Sequence, residues 1–162
     1  MQPNPQFNTK IKLSEQARRA VCGRLNIHLA NTLDLHSQVK QAHWTIKGPQ
    51  FFARHQLFDE VAAHLRQQAD EVAERISTLG GYPRGTVRMT AHSSLIATFD
   101  TGHVSGAHLL RDIAMRLAAH AGEIRDLLPH TEADDPVTAD LLMGQLRAVE
   151  LDLWFFESHF NE

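Results

Sequence analysis

The chain has 162 residues, 43% apolar and 22% charged, the proportions of an ordinary globular protein and enough for one domain with its own core. A formal charge of −3, with 11 histidines counted as neutral, argues against a dedicated polyanion binder. The single cysteine, Cys22, excludes an intrachain disulfide, and no run of about 18 apolar residues is present to span a membrane.

Residues 1–13 carry Pro3, Asn4, Pro5, Asn8, Lys10 and Lys12 and read as a flexible tail. They lack the apolar stretch of a signal peptide, so a cytoplasmic location is expected. Residues 14–162 read as one helical domain. Ser14 followed by Glu15 marks a helix N-terminus, and a first helix runs to about Trp44. Val21, Leu25, Leu29 and Leu33 form one apolar face, and Ile27, Leu35 and Val39 a second; a helix apolar on two sides is buried on two sides. Gly48-Pro49 interrupts the pattern. A second helix spans about 50–79 and stops at Gly80-Gly81, with Pro83 beyond.

Residues 80–102 form a long connection in which the apolar run 94–97 is the expected place for a short helix. A third long helix is expected over about 103–129, with Leu110, Ile113, Leu117, Ala121, Ile124 and Leu128 at steps of three and four. Residues 130–135 read as an acidic turn, and Pro136 suits the first position of a last helix that ends near His159. Two short links and one long one predict an all-α, ferritin-like four-helix bundle with a single long crossover.

Five residues of the first half stand out: His43, His55, Asp59, Asp70 and Glu74. On the second helix, His55, Asp59, Asp70 and Glu74 fall at roughly 0°, 40°, 60° and 100°, a single stripe. His55 and Glu74 are nevertheless roughly 28 Å apart along the axis and cannot share an ion within one helix. An antiparallel copy across a two-fold axis would bring His55 and Asp59 of one chain to Asp70 and Glu74 of the other, giving two identical sites per dimer. His43, at the end of the first helix, lies across the hairpin from His55. Imidazoles mixed with carboxylates suit Fe(II), Mn(II) or Zn(II). Set against this, an acidic pair one turn apart is most often a solvated helix face, and a lone histidine near a helix end is most often structural.

The segment KQAHWTIKGPQFFARHQLFDE at residues 40–60, continued by Asp70, Glu74 and AERISTLGGYPRGT at residues 73–86, resembles the Dps miniferritins, as does LWFFES at residues 153–158. That resemblance implies an inter-subunit ferroxidase site made of His43, His55 and Asp59 from one chain and Asp70 and Glu74 from the next. It also implies a hollow homododecamer that oxidises Fe(II) at di-iron sites with hydrogen peroxide, stores the ferric product and protects DNA. In that family the tryptophan at the position of Trp44 lies near the iron and traps stray oxidising equivalents; a large core side chain is the alternative reading. Glu-x-x-His pairs, which an intra-bundle site would use, are absent from the sequence.

Glu132, Asp134, Asp135 and Asp140 correspond to a region that lines acidic ion-entry pores in Dps-like cages; a favourable helix N-terminus is the alternative. DNA binding is weakly supported, because two lysines per tail face a cage with a formal charge of roughly −36. His36 is expected at a core or interface position, Cys22 as a buried small hydrophobe, and His64 near the dyad, facing its copy. Two other readings remain at this level: a nucleoid protein that compacts DNA, and a cage of the same fold whose site holds Zn or Mn.

Overall fold

The computed structural model describes residues 7–102 and 105–160. Five helices follow one another: α1 (Glu15–Thr45), α2 (Phe51–Thr78), α3 (Val87–Ser93), α4 (Gly106–Asp134) and α5 (Pro136–Glu157). Helices α1, α2, α4 and α5 form a four-helix bundle, with the short α3 in the crossover. Residues 1–6 of the expected tail lie outside the described residues; the Phe7 N–H bonds to Gly80 O at 2.8 Å. No described helix is long and apolar enough to cross a membrane.

Each boundary has a local cause. Ser14 Oγ accepts the Ala17 N–H at 3.1 Å and starts α1. The turn into α2 needs left-handed backbone at Gly48 (φ 103°) and Gln50 (φ 58°). At the other end of α2, Gly80 has φ 78°. The Gly81 N–H reaches Ile76 O at 2.8 Å and the Gly80 N–H reaches Ser77 O at 2.9 Å, the paired bonds of a Schellman stop. The core between the helices is aliphatic, with Leu25, Leu65, Ile113 and Leu117 fully buried and Phe58 edge-on to Phe156.

The crossover runs the length of α1, tied down by α1's polar side chains. Asn26 holds Tyr82 O and the Arg84 N–H, Asn31 holds the Leu95 N–H, Asp34 holds Ser94 and Gln38 holds Ala97 O. The crossover ends in an isolated bridge between Lys47 and Ser105. This explains a shift from expectation. The short helix forms over Val87–Ser93, capped by Thr86, and residues 94–97 are not helical, their polar groups being held by Asn31, Asp34 and Gln38.

A second shift lies at Pro129. Helix α4 continues through it to Asp134, so 130–135 is helix rather than turn and Asp135 alone joins α4 to α5. Proline removes only one N–H. The Asp135 N–H to Thr131 O bond (2.7 Å) and the buried Thr131, whose hydroxyl donates to Leu127 O, carry the helix past it.

A candidate metal centre

The hairpin between α1 and α2 sets His43 against His55. The His43 Nδ1–H donates to His55 O at 2.9 Å and the His55 Nδ1–H donates to His43 O at 3.0 Å. A carbonyl only accepts, so Nδ1 of each ring carries a proton, and the neutral form of each ring has its lone pair on Nε2. The rings stack with centroids 3.7 Å apart, and Phe51 packs on His55 at 5.1 Å. A backbone-fixed tautomer with a free Nε2 is how metal-binding histidines are usually held.

Asp59 follows one turn beyond His55 and is exposed; Lys40 Nζ donates to its Oδ1 at 2.6 Å. That bond holds the Asp59 carboxyl below the usual carboxylate range, with the charge of the same Lys40 acting in the same direction. Asp70 and Glu74 are exposed near the other end of α2. Asp70 borders a groove of about 630 Å³ between Leu29, Leu33, His64 and Gly85. Among the described residues of this one chain, no three His, Cys, Asp or Glu side chains cluster closely enough to hold an ion. The chain therefore brings His43 and His55 together, sets Asp59 one turn away in the grip of Lys40, and leaves Asp70 and Glu74 apart from all three.

Trp44 is 65% exposed, which removes the reading of a core side chain; its indole carries the Lys40 ammonium at 5.9 Å from the ring centroid. His36 is half-buried with Nδ1 donating to Ala62 O at 2.8 Å, a structural role. His64 uses Nδ1 within its own chain, on buried Asp152 at 3.0 and 3.2 Å. Of the expected pore carboxylates, Asp134 is paired with Arg24, and Asp135 is buried against Arg75 and Thr138 because it forms the joint between α4 and α5. Asp140 and Glu132 remain exposed. Cys22 is buried, and burial raises its thiol pKa.

The bundle centre holds polar groups that the sequence reading passed over. His28 is buried, with Nε2 on Gln145 Oε1 at 2.9 Å, and Gln145 in turn donates to Gln68 O and Glu71. Burial, and then the neighbouring His120, push the His28 imidazole down to about 3. The available signal was position: His28 sits between Leu25 and Leu29 and His120 beside Leu117 and Ala121, both on apolar stripes.

A ferritin-like domain model matches residues 22–162. The chain is 36% identical over 155 residues to the DNA protection during starvation protein of Agrobacterium fabrum, covering 95% of this chain and 96% of that one. This chain belongs to the Dps family. Among solved Dps structures, DpsA14 from Streptomyces coelicolor superimposes with a TM-score of 0.93 at 30% identity, covering 98% of this chain and 95% of that one. Dps from Microbacterium arborescens, solved in a high iron form, gives 0.86 at 27%, covering 92% and 97%. The Dps match extends over the crossover and both hairpins.

Proposed function

We propose that this chain oxidises Fe(II) with hydrogen peroxide at sites shared between subunits, stores the ferric product in a dodecameric cage and thereby protects DNA. His43, His55 and Asp59 of one chain and Asp70 and Glu74 of a two-fold neighbour bind the iron. The observation that carries this reading is the reciprocal His43–His55 arrangement, which presents two neutral Nε2 donors next to a carboxylate and leaves the ligand set unfinished within one chain. Family membership and the high-iron relative support it.

The chain's part in the reaction is to hold the substrate iron without competing protons on the nitrogen donors. Hydrogen peroxide takes one electron from each of two Fe(II) ions and two protons, giving two Fe(III) and two waters. Passing both electrons to one peroxide avoids hydroxyl radical. Fe(III) then hydrolyses and is stored. DNA is spared through removal of iron and peroxide, with binding to DNA a minor element.

Co-assembly tests the shared site. His43→Ala chains and Glu74→Ala chains are each inactive alone. When they are mixed from dissociated subunits, hybrid pairs contain one intact site in two, so random reassembly restores about a quarter of wild-type peroxide-driven iron oxidation. A site within one chain would restore none.

A further inference from the structure

We infer that Phe52 closes the shared site. Across the two-fold axis it seats in a recess beside Glu74 of the partner subunit and shuts that end of the site from bulk water. The inference rests on the metal-site reading above and adds a residue to it.

Two separate features of the chain fall into one register. The antiparallel pairing that sets His55 against Glu74 and Asp59 against Asp70 also sets the residue three before His55 against the residue three after Glu74. That is Phe52 against Ser77. On the stripe that carries the ligands from roughly 0° to 100°, Phe52 falls at roughly 60° and Ser77 at roughly 40°, so both face the neighbour. What stands at these two places is complementary. Phe52 is 68% exposed, whereas the adjacent Phe51 packs on the His55 ring. At Ser77 lies a recess of about 380 Å³ lined by Ala73, Glu74, Ser77, Thr78 and Pro83. Its hydroxyls are already used: Ser77 donates to Ala73 O at 3.1 Å and Thr78 to Glu74 O at 2.7 Å. A phenyl ring laid in the recess therefore strands no hydroxyl donor and meets the carbon of Ala73, Thr78 and Pro83. Glu74 forms part of the recess wall, so the ring stands between a proposed ligand and solvent. Excluding water there strengthens the hold on a bound cation.

Cross-linking of the assembled, full-length protein tests the contact without metal. Positions 52 and 77 of one chain are roughly 38 Å apart along α2, so a short bis-maleimide joins cysteines there only between chains. Phe52→Cys/Ser77→Cys is expected to give a covalent dimer that neither single variant gives; the native Cys22 is buried and does not compete. His55→Cys/Glu74→Cys reports the underlying pairing in the same way. Coupling in that pair without coupling between positions 52 and 77 overturns the proposal. Coupling in neither pair overturns the shared-site reading instead. Closure is read from Zn(II) release to excess chelator. Phe52→Ala, which takes nothing from its own chain's core, is expected to release Zn(II) roughly tenfold faster than the parent or more. Phe52→Leu, which keeps most of the bulk, stays nearer the parent. Release from Phe52→Ala at the parent's rate overturns the closing role.

Discussion

His28 and His120, from opposite hairpins, stack inside the bundle with ring centroids 5.1 Å apart and planes within 10° of parallel. Neither ring reaches bulk water, both being fully buried. A charge on either would be desolvated and would face the other ring.

The consequence is a graded acid sensitivity. His28 titrates near 6.5 when unfolded and at about 3 when folded, so between those values the unfolded chain binds the extra proton. Stability is complete above about pH 6.5 and falls as pH drops toward 3, by about 2 kcal/mol per chain at pH 5. Thermal midpoints measured from pH 7.5 to 4.5 are expected to fall. His28→Gln, which still donates to Gln145, flattens that slope. An equally steep decline in the variant would place the acid sensitivity elsewhere.

Arg75 and Asp135 make a second prediction. Burial alone would raise the Asp135 carboxyl, but bonds from Thr138 and Arg75 outweigh it and hold the group below the usual range. Its stabilising effect is therefore present above about pH 4 and fades below. Arg75→Ala strands a buried carboxylate at the joint of α4 and α5 and is expected to cost on the order of 3 kcal/mol, read from denaturant midpoints at pH 7. Asp135→Asn, which keeps the shape without the charge, costs less.

Gly81 is a packing requirement. A methyl group there would lie 2.6 Å from Cys22 Sγ and 2.9 Å from Ile76 Cγ2. Gly81→Ala is expected to destabilise by about 1–3 kcal/mol, and Cys22→Ala in the same chain to return part of the loss. Strict additivity of the two changes would mean that the thiol is not what crowds the site.

The charge balance sets the expectation for DNA. Lys10 and Lys12 are the only basic residues before α1, in a chain of net charge −3. Duplex DNA is expected to be retarded in gels at low salt only and released by about 150 mM. Retention at that salt by wild type, lost in Lys10→Gln/Lys12→Gln, would restore direct DNA binding as a main activity.

Much of this was legible in the sequence, for physical reasons. The four long helices follow from apolar residues at steps of three and four, and the stop at Gly80-Gly81 from backbone that side chains resist. Four of the five ligand candidates were visible because one helical stripe carried them, and His43 because the short hairpin sets it across from His55. What was hidden depended on partners far along the chain. The position of α3 is decided by Asn31, Asp34 and Gln38, more than 50 residues before the segment they hold. The passage of α4 through Pro129 depends on the burial of Thr131. The pairing of Lys40 with Asp59 spans 19 residues and a turn, and no local pattern announces it.

The crossed bonds of His43 and His55 also bear on when the proposed metal site can form. Each imidazole is oriented by a carbonyl on the opposite arm of the hairpin, so neither points its free nitrogen anywhere in particular until both arms have been synthesised and have met. A nascent chain emerging from the ribosome thus lacks the oriented pair of nitrogens on which the proposed site is built. The histidine pair forms in one step with the hairpin, ahead of the assembly that the rest of the proposed ligand set requires, and a slip of the hairpin by a single residue would misplace both nitrogens together.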